Sequence, residues 1–155
     1  MTLTKTVTNI LSKRVTDEEA KQFAQNNKII AEFMGLEITK DKVIVPEMFQ
    51  VEEHPFYLLK WIDDFRELDN LPPNSLNNLH FHSDWNWLME VVEKIESISF
   101  EEDNFINVTI GCGFDCTIQD AHGKLFKLST WEHTKIKTVY NTCLEFIKYY
   151  NEQTR

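Results

Sequence analysis

A chain of 155 residues with 42% hydrophobic content and 12% aromatics has the size and composition of one domain, whose core 11 Phe, 4 Trp and 4 Tyr can fill without disulfide or metal staples. Its formal net charge of −9, with 16 basic residues dispersed among 25 acidic ones, argues against direct binding to nucleic acid. The N-terminal positions lack the succession of a signal peptide and no stretch approaches about 18 uninterrupted apolar residues, so the expectation is a soluble protein of the cytoplasm without a membrane segment.

Residues 1–14 suggest no definite element and are expected to be flexible. Thr16-Asp17-Glu18-Glu19 then has capping-box spacing, and Ala20, Phe23, Ala24, Ile30, Ala31 and Met34 follow at helical intervals. Gly35 stops that helix. Two short runs, Leu36 to Thr39 and Lys42 to Val45, flank Lys40-Asp41 as a small hairpin ended by Pro46. Pro55 precedes Leu58, Trp61, Ile62, Phe65 and Leu68, a second helical stripe, which Leu71-Pro72-Pro73-Asn74-Ser75 breaks.

A third helix is expected from Ser83 as N-cap, with Asp84 in its first turn facing the positive end of the helix dipole. Trp85, Trp87, Leu88, Met89, Val91, Val92 and Ile95 cover an arc of roughly 200°, wide enough to pack on two sides. Three strands follow at Phe105 to Ile110, Phe114 to Gln119 and Lys124 to Ser129. Their alternation predicts a meander with one buried face. A last helix, about Thr134 to Asn151, carries Ile136, Val139, Tyr140, Cys143, Leu144, Phe146, Ile147 and Tyr150 on one side. The predicted fold is a single α+β domain over residues 1–155: an antiparallel meander of three strands plus a small hairpin, packed by three to four helices.

Three segments carry a resemblance. Asn26-Asn27-Lys28-Ile29-Ile30-Ala31-Glu32-Phe33-Met34-Gly35, the run from Trp85 to Glu96, and Phe146-Ile147-Lys148-Tyr149-Tyr150-Asn151 are similar, in the same order, to segments of small uncharacterised phage and prophage proteins, especially of Bacteroidetes. The central motif of that group reads tryptophan, aspartate or asparagine, tryptophan, leucine, methionine, proline, valine, valine, glutamate, lysine, isoleucine. Here Glu90 replaces the proline, and Tyr149 stands where a tryptophan is common. The resemblance implies a phage-associated setting and carries no activity with it.

Chemical signatures are few. Cys112, Cys116 and Cys143 are an odd number suited to reduced thiols, with Cys116 read as a small core residue and Cys112 as a turn residue. His80 and His82 would point the same way in an extended segment and are the candidate metal or acid/base pair, though no His-Glu-x-x-His or Cys/His quartet supports them. His122 and His133 read as surface or capping residues. Neither a nucleophile elbow nor a phosphate-cradling glycine loop is present. No catalytic residue and no cofactor is therefore assigned.

The favoured reading is a non-catalytic phage accessory protein that binds a host or phage protein, such as a host defence nuclease, in the manner of an anti-CRISPR inhibitor. Its candidate contact residues are the acidic Asp63, Asp64 and Glu67 and the aromatic Trp85 and Trp131. The alternatives are a pocket for a small molecule or nucleotide signal, and a metal-dependent enzyme built on His80 and His82. Oligomeric state is left open.

Overall fold

The computed structural model describes residues 2–39, 42–68, 78–123 and 127–154, with side chains described from residue 17 on apart from 65–68 and 127–130. Helix α1 spans Thr2–Phe33, the hairpin strands β1 and β2 are Glu37–Thr39 and Lys42–Ile44, and α2 and α3 are Tyr57–Leu68 and Trp85–Glu96. Strands β3 (Ser99–Glu101), β4 (Asn104–Ile110), β5 (Asp115–Asp120) and β6 (Lys127–Trp131) form one antiparallel sheet in the order β3-β4-β5-β6, and α4 (Lys135–Gln153) closes the chain. The fold is α+β, as the sequence pattern predicts. No helix among the described residues is long and apolar enough to cross a membrane.

Two boundaries differ from the sequence reading. Helix α1 begins at Thr2, so Thr16 lies inside it and opens nothing. Asp84 rather than Ser83 caps α3: its backbone is extended and its Oδ1 accepts the Asn86 N–H at 2.8 Å. The meander also has a fourth strand. β3 is only three residues long, with a register shift between Ser99 and Glu101, and it joins β4 through Glu102-Asp103, where Asp103 takes φ 62°, a conformation aspartate tolerates. The Pro-Pro breaker, the Lys40-Asp41 turn and Lys124 of the third expected strand lie outside the described residues.

The end of α1 follows from Gly35. With φ +91° it lets its own N–H reach the Glu32 carbonyl at 3.1 Å while the Leu36 N–H reaches Ala31 at 2.9 Å, the paired bonds that turn a helix into an outgoing strand. At the other end of the chain the Thr134 hydroxyl caps α4 by accepting from the Lys137 N–H.

Helices α3 and α4 cover one face of the sheet, because β4 and β5 turn Ile106, Cys116 and Ile118 inward and both helices turn their apolar stripes toward them. Trp87, Leu88, Val91, Val92 and Ile95 are buried, as are Val139, Tyr140, Cys143, Leu144, Phe146 and Ile147. Trp85 and Met89 stay 38% exposed, so the buried arc of α3 is narrower than its apolar sequence suggests. Helix α1 lies against α4. Between them sits Asn27, 1% exposed, which donates to the Leu79 carbonyl at 3.2 Å and to His82 Nδ1 at 2.9 Å and accepts the Tyr140 hydroxyl at 2.8 Å.

Candidate functional site

The segment before α2 is shaped by one buried ring. Phe56 is fully buried, with Phe81 and Trp87 at centroid distances of 5.5 and 4.9 Å and Phe49 edge-on at 5.2 Å. Pinning Phe56 forces residues 46–55 to loop across the start of α3. A single 3-10 turn at Glu47–Phe49, the Gln50 amide donating to the Val45 carbonyl at 2.9 Å, and the His54 N–H donating to the Val51 carbonyl at 2.8 Å hold that loop. Glu52 and Glu53 are left at its exposed crest.

His54 ties the loop to α3. The Phe56 backbone N–H can only donate, so His54 Nδ1, 3.1 Å away, accepts; the ring proton then sits on Nε2 and is donated to Glu90 Oε2 at 3.1 Å. This assignment has a chemical consequence. The basic nitrogen is consumed by a backbone bond and the other faces a carboxylate, so His54 positions Glu90 and holds the loop rather than serving as a proton acceptor for a substrate.

Between this loop, α2 and the start of α3 lies an open groove of about 720 Å³. One wall carries Tyr57, Leu58 and Trp61; the other carries Met89, Glu90 and an edge of Trp87. Among the described residues, four carboxylates, those of Glu52, Glu53, Asp84 and Glu90, line it, and no Lys or Arg does. Asp84 is engaged as the helix cap and Glu90 with His54, so Glu52 and Glu53 provide its solvent-facing charge. Trp61 is 50% exposed and Leu58 44%. An apolar floor under a rim of one sign is the composition of an interface core meeting a polar border.

Of the five contact residues expected from sequence, the four whose side chains are described, Asp63, Asp64, Trp85 and Trp131, do not line the groove. Asp63, Asp64 and Glu67 lie on α2; Asp63 lines a smaller cleft of about 200 Å³ beside β2, Asp64 pairs with Lys60 at 2.7 Å, and the side chain of Glu67 is outside the described residues. Trp85 opens α3 next to the groove. Trp131 is 65% exposed at the far end of β6, edge-on to Phe114 and His133, and belongs to a different part of the surface. The groove residues Glu52, Glu53 and Trp61 were visible in the sequence as an acidic pair and an apolar helical position. What was invisible was their meeting with Glu90, on a helix that starts beyond a proline-rich break in the chain.

His80 and His82 do not sit in an extended segment. The His80 carbonyl accepts the N–H groups of Ser83 and Asp84, a turn that drives Phe81 into the core and sends the two rings different ways. His80 meets the edge of Trp87 at 5.5 Å, whereas His82 stacks on Phe23 at 4.3 Å and bonds Asn27. Burial, with a smaller contribution from His80, holds His82 below its ordinary pKa. Among the described residues no group of three or more His, Cys, Asp or Glu is placed to hold a metal ion.

A second cleft of about 540 Å³ lies between β3 and the end of α4, lined by Phe100, Glu101, Tyr149, Tyr150 and Gln153 among others. It is smaller and, among the described residues, has one carboxylate at its border, that of Glu101. Compared with known protein families, with curated proteins and with solved structures, the chain matches none.

Proposed function

We propose that this protein works by binding, and that the groove between α2 and α3 receives a basic surface of a partner protein. The observation that carries the reading is the groove's composition: among the described residues, four carboxylates and no lysine or arginine line it, together with exposed Trp61 and Leu58. The apolar side chains supply anchoring area, and the carboxylates supply steering and selection against acidic partners. The phage setting rests on the resemblance of the α1, α3 and α4 segments, and within it the fitting target is a host defence protein, such as a nuclease, whose nucleic-acid channel is basic. Occupying such a channel blocks the nucleic acid without chemistry, the action of an inhibitor.

A nucleotide signal suits the groove poorly, because its phosphates would face the same carboxylates. The test is an affinity pull-down from host lysate at graded salt, with wild-type protein beside Glu52→Lys/Glu53→Lys, whose fold is checked by circular dichroism. A stoichiometric basic protein, retained at low salt, weakened by added salt and lost in the variant is the expected result. A partner held equally by the variant, or across the whole salt range, overturns the proposal.

A further inference from the structure

We infer that the outer half of α1 is an arm by which two copies of this chain associate, the two arms lying side by side and antiparallel. The inference is independent of the groove and starts from the way α1 leaves the body. Phe23 meets Tyr140 at 5.9 Å, Asn27 accepts the Tyr140 hydroxyl at 2.8 Å, and Phe33 meets Tyr150 at 5.8 Å, so α1 and α4 run alongside each other in the same direction. Yet α4 starts at Lys135, only a turn and a half before Tyr140, whereas α1 starts at Thr2. Residues 2–17 therefore run about 24 Å past the start of α4. Asp17, Glu18, Glu19, Ala20, Lys21 and Gln22 are all exposed, and the Gln22 side-chain bond to Asn26 stays within the helix. Six consecutive residues sample every side of a helix, so among the described residues no other segment covers any face of α1 there.

A helix in that position needs a partner. Isolated helices of this length are marginal in water, and threonines lower the propensity of this one further. It nonetheless carries an apolar stripe, since Leu3, Val7, Ile10, Leu11 and Val15 fall within an arc of roughly 140° at helical spacing. Charge identifies what covers that stripe. Lys5, Lys13 and Arg14 are the charged side chains of positions 1–16, and Asp17, Glu18 and Glu19 follow directly, so the arm is basic outward and acidic at its base. Two parallel arms would align like charge with like. Antiparallel arms crossing at Leu11 set Lys5 opposite Asp17, Val7 opposite Val15 and Leu11 opposite its own copy. Arg14, which interrupts the stripe, then falls opposite Thr8 rather than a like charge. Such a contact is self-complementary about a two-fold axis, each copy offering the surface it receives. A foreign helix of one charge sign would match only one half of the arm.

The experiment uses the full chain, followed by sedimentation equilibrium and far-UV circular dichroism over a dilution series. A dimer that dissociates on dilution with loss of helical signal is expected. Val7→Asp/Leu11→Asp should be monomeric at every concentration, with unchanged tryptophan fluorescence, because Trp61, Trp85, Trp87 and Trp131 all lie outside the arm and report on the body. Lys5→Glu and Asp17→Lys should each weaken the dimer by about three- to ten-fold and should restore it when combined, two exposed ion pairs being broken and then remade. In a Cys112→Ser background, which removes the exposed native thiol, oxidised glutathione should link Leu11→Cys chains into a dimer and leave Val7→Cys chains unlinked. In the antiparallel register the two copies of position 7 lie about 12 Å apart, beyond the reach of a disulfide. A wild-type chain monomeric throughout the series, or a dimer indifferent to Val7→Asp/Leu11→Asp, overturns the inference. So does a charge swap that fails to restore association, or equal linking at positions 7 and 11.

Discussion

The polar junction at Asn27 is where a single atom's removal can be priced. Every polar atom of that side chain is engaged: Nδ2 with the Leu79 carbonyl and His82 Nδ1, Oδ1 with the Tyr140 hydroxyl. Burial pushes the Tyr140 phenol far above its ordinary range, so it keeps its proton and always donates. Tyr140→Phe keeps the ring and its edge contacts with Phe23 and His82, and leaves almost no cavity. What it leaves is Asn27 Oδ1, an acceptor in a residue only 1% exposed, without a donor. The lost bond and the stranded acceptor together give a destabilisation of about 1–3 kcal/mol. At about 2–4 °C per kcal/mol for a chain of this size, an effect near ~2 kcal/mol lowers Tm by roughly 4–8 °C. Asn27→Ala should cost more, since it strands a carbonyl, a ring nitrogen and a hydroxyl at once, and the double variant should fall short of the sum of the two. Urea denaturation with calorimetry at pH 7.5 measures all three. A Tyr140→Phe protein within about 0.5 kcal/mol of wild type, the scatter of an ordinary surface change, would refute the reasoning.

Three further outcomes are expected. Because the folded state holds His82 below its unfolded value of 6.5, the unfolded chain binds more protons just below that pH; the stability tied to neutral His82 is whole above about pH 6.5 and is lost as pH falls through and below it. The urea midpoint should therefore drop less between pH 7.5 and 5 in His82→Phe than in wild type, and equal slopes would contradict the assignment. Cys112 is exposed while Cys116 and Cys143 are buried with their thiols pushed up by burial, so a thiol reagent should titrate one cysteine in the native protein and all three after unfolding. Gly35→Ala has room for its methyl group but must keep φ near +91°, and should lose about 1–2 kcal/mol in thermal or urea melts; a neutral result would mean that the α1 terminus adjusts without its left-handed residue.

How far the sequence carried the fold depended on whether a segment's partner lay nearby. The α4 stripe, the alternation of Ile106, Val108 and Ile110, and the stop at Gly35 are local signals, and each was legible. The first half of α1 was missed: Leu3, Val7, Ile10, Leu11 and Val15 do recur at helical spacing, but Thr2, Thr4, Thr6 and Thr8 punctuate them with residues of modest helix propensity. Strand β3 is too short to show a period. The cap of α3 moved one residue because Ser83 and Asp84 are both good caps, and the choice was made by the turn that draws both N–H groups to the His80 carbonyl. The same turn undid the expected alignment of His80 and His82. For the groove, the sequence displayed the parts, Glu52-Glu53, Trp61 and Glu90, on segments some thirty residues apart. Their juxtaposition depends on Phe56 reaching Phe81 and Trp87, which no periodicity encodes.

The tie between Asn27 and Tyr140 joins positions 113 residues apart, and it also bears on the order in which the molecule assembles during synthesis. The turns at residues 111–114 and 120–123 close small loops, so the meander can zip as soon as it leaves the ribosome. Helix α1, made before α4, has no α4 to lie against until about a hundred further residues have been added. At about 5–20 residues per second that leaves it waiting for several seconds or longer, with Ile30, Ala31 and Met34 open to other apolar surfaces.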